Sequence, residues 1–200
     1  MIIKNVVPQH LQQDLSNELK FRCEWRLSPA TSGDAILDKN NTKIRETAQM
    51  VHFIIDEHEA KSHLAQAAGH MIDAIAETLN LDIRMAVRVK ANLIFKDGLA
   101  ANCHHTPHVD MGNQNCISAV YYVEDSDGDT LLFDKGVPDN PINLKVVERA
   151  SPIQGDTFIF PSNKFHTSCS PVENTTRTVI NFVLALDESI NVQTLLSKID

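Results

Sequence analysis

Three histidines and one aspartate stand within seven positions, in the segment HHTPHVD at residues 104–110. The whole chain of 200 residues contains only nine histidines. Such a cluster is either a polar loop rich in imidazole or half of a metal site. If the segment is extended, His108 and Asp110 point to the same side, because successive side chains of a strand alternate. Their imidazole and carboxylate can then reach one metal ion.

Two ligands rarely hold a metal ion tightly, so a third ligand is needed on another strand. Downstream of the cluster only one histidine remains, His166, in the strand-like segment KFHTSCS. With His108 and Asp110 it completes the set of two histidines and one carboxylate that leaves coordination positions open on Fe(II). A cosubstrate and O₂ could then both reach the iron. The alternative interpretation is that His166 is an ordinary buried histidine.

An arginine provides a second indication for the same site. The turn at residues 171–174 predicts a hairpin that places Arg177 opposite Ser168, on the face that Ser168 shares with His166. A guanidinium in that position could bind the far carboxylate of a dicarboxylate in a bidentate pair. The alternative is a surface arginine in an ordinary ion pair.

Other residues near the cluster leave the choice of ligands open. His105 and His108 have a His-x-x-His spacing that suggests zinc, and His104 or His105 could replace His108 as a ligand. Cys103 and Cys116 flank the cluster and could act as soft metal ligands, although small, partly buried residues are the simpler interpretation.

The clearest strand signal is the segment IRMAVRVKANLIF, residues 83–95, in which apolar side chains alternate with other types. One face of this strand is apolar, and the other carries Arg84, Arg88, Lys90 and Asn92. The polar face is either solvated or lines the mouth of a polar cavity, where its cations would suit an anionic substrate.

Short strands separated by turn signals continue to residue 186. CISAVYYVED and TLLFD flank the turn DSDGD, and KFHTSCS and TTRTVINFVLAL flank the turn PVEN, so each pair is predicted to form a hairpin. Short strands at such regular spacing predict a β-sandwich or barrel.

The first 82 residues have a mainly helical pattern. Leucines recur every four residues from Leu11 to Leu19 and predict a helix with one buried stripe, beginning near Pro8. Asp56 is the predicted N-cap of a second helix that runs to about Asn80.

Composition excludes several classes of protein. Hydrophobic residues make up 42% and charged residues 22% of the chain, which is typical of a folded globular protein. The formal net charge of −8 argues against a general nucleic-acid binder. No apolar run is long enough to span a membrane. The four cysteines form no C-x-x-C pair, so we expect reduced thiols and a cytoplasmic protein.

Four motifs resemble those of the Fe(II)/2-oxoglutarate-dependent dioxygenases, and specifically the prolyl-4-hydroxylase-like branch. They are HVD at 108–110, DGDTLLFD at 127–134, GDTFIFPS at 155–162 and KFHTSCSPVENTTRTVINFVL at 164–184. The resemblance covers about residues 84–186. It implies a mainly β fold with flanking α-helices, built on a double-stranded β-helix (jelly-roll) core.

We therefore predict a single domain in three parts. Residues 1–82 form a helix-rich N-terminal support, residues 83–186 form the double-stranded β-helix catalytic core, and residues 187–200 form a C-terminal extension that includes a short helix.

The resemblance also implies roles for individual residues. His108, Asp110 and His166 would bind iron, and Arg177 would bind the 5-carboxylate of 2-oxoglutarate, where prolyl hydroxylases commonly use lysine. Thr130, in a GDT segment that matches the family's G-x-T turn, would lie near the same carboxylate.

One expected cosubstrate contact has no obvious match. The family often has a tyrosine on the strand that precedes His-x-Asp, and this chain has none there. Asn92, Tyr121 or Tyr122 would take its place.

The implied cofactors are Fe(II) and 2-oxoglutarate, with ascorbate as a supporting reductant, and O₂ is the second cosubstrate. The implied reaction hydroxylates a prolyl or other peptidyl or amino-acid side chain, in a peptide or a small molecule. It is coupled to decarboxylation of 2-oxoglutarate to succinate and CO₂. One alternative is a cupin-like metal-binding protein without 2-oxoglutarate turnover. Another is a nucleic-acid demethylase on the same fold, which the net charge disfavours.

Overall fold

The computed structural model describes residues 1–32, 44–97 and 103–199. Two antiparallel β-sheets dominate it. The larger has eight strands, in the order β1-β9-β6-β11-β5-β3-β2 with β4 paired to β3. Their bounds are Ile2–Ile3 (β1), Arg26–Ser28 (β2), Gln49–Asp56 (β3), Glu59–Ala60 (β4), Met85–Phe95 (β5), Cys116–Tyr122 (β6), Thr157–Pro161 (β9) and Thr176–Ala185 (β11).

The smaller sheet has three strands in the order β10-β7-β8. They are Thr130–Gly136 (β7), Val146–Ala150 (β8) and Lys164–Ser168 (β10). Leu132 and Ala150 of this sheet pack in one buried cluster with Val120, Phe158 and Val179 of the larger sheet, so the two sheets face each other. The prediction of a mainly β, jelly-roll core with flanking helices is confirmed.

Helices cover the other face of the larger sheet. They are Gln9–Phe21 (α1), Ala65–Leu79 (α2) and the short Val192–Leu196 (α3). Leu15 and Leu19 of α1 are buried as predicted, but Leu11 is 44% exposed. No helix in the described part of the chain is long and apolar enough to cross a membrane.

The predicted start of α2 at Asp56 is wrong. Asp56 is the last residue of β3 and pairs with Glu59 of β4, across a tight turn in which Glu57 and His58 both have positive φ. The helix begins only at Ala65, after the hydroxyl of Ser62 has accepted a hydrogen bond from the backbone N–H of Leu64. A strand that continues to Asp56 has overridden the local capping signal.

Both predicted hairpins are also wrong. β6 and β7 lie in different sheets, because β6 pairs with β9 and β11 whereas β7 pairs with β8 and β10. In the same way β10 pairs with β7, whereas β11 pairs with β5 and β6. The turn residues at 125–129 and 171–174 do reverse the chain, but each turn crosses from one sheet to the other. Turn chemistry predicts a reversal and does not select the partner strand.

The division of the chain at residues 82 and 186 remains a prediction. Strands β1 to β4, from the predicted N-terminal support, are part of the same larger sheet as the core strands.

Candidate metal centre and cosubstrate pocket

The two sheets bring His108, Asp110 and His166 together. One ligand atom from each lies within 4.8 Å of the other two. His166 is on β10, and a two-residue antiparallel bridge joins it to His108 through backbone hydrogen bonds of 2.9 and 3.0 Å in both directions. The backbone N–H of Asp110 donates to the carbonyl of Ser162. Backbone pairing therefore fixes the positions of all three side chains.

Hydrogen bonds orient both imidazoles for metal binding. Nδ1 of His108 lies 3.3 Å from the carbonyl oxygen of Thr106, and Nδ1 of His166 lies 3.1 Å from that of Lys164. A carbonyl only accepts, so each Nδ1 carries the proton and each Nε2 keeps its lone pair for a metal ion. Burial, followed by the neighbouring His166, lowers the pKa of His108 to about 4, which keeps its ring neutral at ordinary pH.

The Asp110 carboxylate is held by three side chains. Arg88 Nη2 donates to Oδ1 at 2.8 Å, Ser118 Oγ donates to Oδ2 at 2.7 Å, and Asn181 Nδ2 lies 3.3 Å from both oxygens. Burial opposes ionisation, but His166, His108, Arg88 and the Ser118 hydrogen bond outweigh it and hold the pKa of Asp110 below its usual range. The carboxylate is therefore ionised, as a metal ligand must be.

This donor set fits Fe(II). It consists of two imidazoles and one carboxylate beside a polar cavity, the set that leaves metal positions open. Among residues 1–32, 44–97 and 103–199, no other group of three histidine, cysteine or acidic side chains lies close enough to share a metal ion.

The additional ligands that the zinc interpretation requires do not lie at the metal cluster. His105 is turned away from the cluster, with Nδ1 2.8 Å from the carbonyl oxygen of Arg45 and Nε2 3.2 Å from Ser170 Oγ. His104 Nδ1 lies 2.7 Å from the carbonyl oxygen of His105. Cys103 and Cys116 are free cysteines and also lie outside the cluster.

Arg177 lies in the same cavity as the metal cluster. The cavity is lined by His108 and His166 and also by Thr130 and Arg177. Arg177 Nε donates to the carbonyl of Gly128 at 2.6 Å, and Nη2 donates to Thr130 Oγ1 at 2.8 Å. Arg177 pairs with Ile94 of β5, and not with Ser168 as predicted. It reaches the cavity from the sheet opposite His166.

Arg177 is buried, and the Asp129 carboxylate that acts on it electrostatically is itself paired with Arg149. The side chain is only 3% exposed, and burial lowers the pKa of its guanidinium. Within the described ranges it forms no ion pair with a carboxylate. A buried cation without a counter-ion is costly, so this arrangement indicates that a ligand supplies the negative charge.

Comparison with known proteins agrees with this geometry. Residues 96–184 match the family model of the 2OG-Fe(II) oxygenase superfamily. The superfamily uses Fe(II) and 2-oxoglutarate, together with O₂ and a peptide or small-molecule substrate. No curated protein sequence matches the chain.

Solved structures of similar fold include an epimerase and two prolyl hydroxylases. The non-haem epimerase SnoN of nogalamycin biosynthesis is 11% identical, with a TM-score of 0.62 over 96% of this chain and 82% of SnoN. A Trichoplax adhaerens prolyl hydroxylase in complex with a peptide of hypoxia-inducible factor is 16% identical, with a TM-score of 0.57 over 94% and 84%. A Pseudomonas putida prolyl-4-hydroxylase is 17% identical, with a TM-score of 0.52 over 92% and 91%. At these identities the likeness shows the fold.

The two adjacent tyrosines of β6 point to opposite sides of the strand. Tyr121 packs in the helix-covered core and does not line the cavity, contrary to the prediction. Tyr122 is on the cavity side, where its hydroxyl lies 2.9 Å from Thr130 Oγ1, the atom that also contacts Arg177. Asn92 does line the cavity, and its Oδ1 is buried without a hydrogen-bond partner.

Gly128 makes the close approach of Arg177 possible. A Cβ atom at Gly128 would lie 2.8 Å from Arg177 Cδ and 2.6 Å from the carbonyl oxygen of Cys169. No larger residue fits without displacing the guanidinium. The glycine of the GDT segment thus contributes a backbone carbonyl to the pocket and leaves room for the arginine.

Sequence reasoning missed several residues that hold the site. The cations of segment 83–95 have different environments. Arg84, just before β5, forms exposed ion pairs with Asp82 and Asp187. Arg88 pairs with Asp110, and Lys90 lines the cavity. Ser118 and Asn181, which also bind Asp110, are polar residues inside otherwise apolar strands. That polar interruption was the available signal.

Proposed function

We propose that this oxygenase hydroxylates a prolyl or other peptidyl or amino-acid side chain, coupled to decarboxylation of 2-oxoglutarate to succinate and CO₂. One observation carries the proposal. Two oriented histidines and an ionised aspartate share a buried cavity with an arginine that has no carboxylate partner among the described residues.

In this proposal His108, Asp110 and His166 hold the iron. Bound there, Fe(II) supplies the activation of O₂. The protein's own contribution is to keep the ligands in place: Arg88, Ser118 and the backbone bridges fix the carboxylate and the rings before the metal arrives.

Arg177 and Thr130 would hold the 5-carboxylate of 2-oxoglutarate. Thr130 Oγ1 lies within hydrogen-bond distance of both Arg177 Nη2 and the Tyr122 hydroxyl, so three polar groups meet there. These contacts would fix the guanidinium within the cavity that His108 and His166 also line. Such fixed positioning would orient the cosubstrate relative to the metal ligands. Asn92 lines the same cavity.

The prolyl-4-hydroxylase-like branch is supported by the four sequence motifs, and two prolyl hydroxylases share the fold. Asp110 occupies the carboxylate position of the ligand set, which favours hydroxylation over halogenation. An epimerase also shares the fold, so epimerisation is the second reaction that a product analysis must separate.

Succinate formation from 2-oxoglutarate tests the proposal. Purified protein with Fe(II), ascorbate and O₂ is incubated with proline-containing peptides and free amino acids, and the products are analysed by mass spectrometry. We expect succinate and a product that has gained one oxygen atom. His108→Ala and Arg177→Ala should both lose turnover, by about 100-fold or more for the ligand variant.

Two results contradict this proposal. If both variants turn over 2-oxoglutarate like the parent, the site assignment is wrong. If the parent forms no succinate but binds metal, the cupin-like alternative is correct. A series of single-stranded DNA binding measurements at increasing salt tests the demethylase alternative, which predicts a steep salt dependence. The predicted cytoplasmic location remains a prediction.

A further inference from the structure

Lys90 is a second cation of the cavity that lacks a counter-ion. It lies on β5 between Arg88 and Asn92, and its backbone pairs with Asn181 of β11 and Phe53 of β3. Its side chain lines the cavity that holds the metal cluster. No carboxylate of the described residues lies within ion-pair distance of it. Burial and the nearby Arg88 lower the pKa of its ammonium group.

The other charges of the site already have partners. Arg88 is paired with Asp110 at 2.8 Å, and in the proposed function Arg177 binds the far carboxylate of 2-oxoglutarate. With Fe(II) and the cosubstrate bound, the metal, Arg88, Lys90 and Arg177 carry five formal positive charges, and Asp110 and 2-oxoglutarate carry three negative ones. The site therefore retains an excess of two positive charges, and Lys90 is the cation for which the described residues provide no ion-pair partner.

Two amide oxygens beside Lys90 lack donors. Oδ1 of Asn181 and Oδ1 of Asn92 are both buried without a hydrogen-bond partner. Asn181 is oriented by its amide nitrogen, which contacts the Asp110 carboxylate, so its oxygen faces elsewhere. Buried acceptors normally have partners. A ligand that carries a donor next to a carboxylate would satisfy both the acceptors and the lysine.

We propose that Lys90 binds a carboxylate of the primary substrate and that the substrate is a free α-amino acid. This inference rests on the proposed function and names its substrate class. The carboxylate contacts the Lys90 ammonium, and the adjacent nitrogen donates toward the amide oxygens of Asn92 and Asn181. An internal residue of a longer peptide lacks that carboxylate and binds poorly.

Binding without turnover tests the proposal directly. Protein loaded with Mn(II) and 2-oxoglutarate is titrated without O₂, by calorimetry, with the free L-amino acids and with the corresponding C-terminal amides. We expect at least one free amino acid to bind about 10-fold or more tightly than its amide, which is the scale of a hydrogen bond between charged groups. Lys90→Met should abolish that preference, and Lys90→Arg should keep most of it.

Arg84→Met is the matched control, because Arg84 immediately precedes the same strand but forms exposed ion pairs. It should bind amino acids and 2-oxoglutarate like the parent. The affinity for 2-oxoglutarate, measured in each variant, separates the two possible ligands of Lys90.

Three outcomes overturn the inference. No free amino acid binds, or acids and amides bind equally well to the parent, or Lys90→Met weakens 2-oxoglutarate as Arg177→Met does. The third result would assign Lys90 to the cosubstrate. A parent protein that prefers the acids but never forms succinate would instead contradict the proposed function and leave the carboxylate site intact.

Discussion

The two faces of the larger sheet are both covered by other elements, but one forms the apolar core and the other lines the polar cavity. The face toward the helices is almost entirely apolar, with Val89, Ala91, Ile117, Ile180 and Phe182 in one cluster. The face toward the smaller sheet carries Lys90, Asn92, Ser118, Arg177 and Asn181 on the same three strands. Adjacent residues of one strand therefore belong either to the core or to the site.

This difference separates stability from chemistry. Apolar burial on the helix face stabilises the fold in proportion to the area removed from water. Buried polar groups on the cavity face contribute little stability, and a cation such as Arg177 without a carboxylate partner costs stability until a ligand binds. The alternation of a β-strand allows both environments within one secondary structure element.

Phe182 and Asn181 give the largest contrast between the faces. Phe182 is fully buried in the helix-side cluster, so Phe182→Ala should lower the free energy of unfolding by about 3–5 kcal/mol. Asn181→Ala should cost about 1 kcal/mol but weaken metal binding by about 10-fold, because it removes one of the three side chains that hold the Asp110 carboxylate. Denaturant titration and Mn(II) titration measure the two effects. Equal loss of stability in both variants would contradict the separation of the faces.

Replacing Arg177 should change ligand affinity and stability in opposite directions. Arg177→Met removes the charge that would bind the 5-carboxylate, so 2-oxoglutarate affinity should fall by about 10- to 100-fold. Without ligand, the same change removes a buried unpaired cation, so the free energy of unfolding should stay the same or increase.

Calorimetry and denaturant titration with and without 2-oxoglutarate measure these effects. Arg84→Met, at an exposed position, serves as the control and should change neither quantity. A loss of more than about 2 kcal/mol without ligand would show that the bonds of Arg177 to Gly128 and Thr130 are structural, and that no anion is required.

Sequence reasoning reached different depths on the two faces. The period-two pattern of β5 predicted a polar face and an apolar face, but it could not decide whether the polar face was solvated. The answer depends on which elements pack opposite: Arg84 is in solvent, and Lys90 is in the cavity. The HVD segment and His166 were sufficient to predict the metal cluster, because His108 and Asp110 are two residues apart and His166 is the one histidine that follows them in the sequence.

Arg177 was placed at the cavity by an incorrect pairing. The predicted hairpin set it opposite Ser168, but Arg177 lies in the other sheet, beside Ile94. The cavity lies between the sheets, so an inward-facing residue of either sheet reaches it. A turn sequence indicates where the chain reverses but not which strands pair. Long-range packing determines the strand partners.

Tyr121 and Tyr122 show how a single step changes the face. Ser118 and Tyr122 have the same parity on β6, and Ser118 contacts Asp110, so parity from that polar residue predicts Tyr122 on the cavity side. Without a reference residue, two adjacent tyrosines cannot be distinguished. Because the two tyrosines could not be distinguished, Tyr121 was predicted to contact the cosubstrate, and the structure places it in the core.

The same pair provides the smallest expected effect and a sensitive test of the two faces. Tyr122→Phe removes a hydroxyl that contacts Thr130, so 2-oxoglutarate affinity should fall by about 2- to 10-fold. Tyr121→Phe removes a buried hydroxyl that has no hydrogen-bond partner, so it should leave affinity unchanged and keep or increase the free energy of unfolding. The two variants have identical composition and differ only in the face from which one oxygen is removed. A larger loss of affinity in Tyr121→Phe than in Tyr122→Phe would reverse the assignment of β6 and, with it, the position of the cosubstrate pocket.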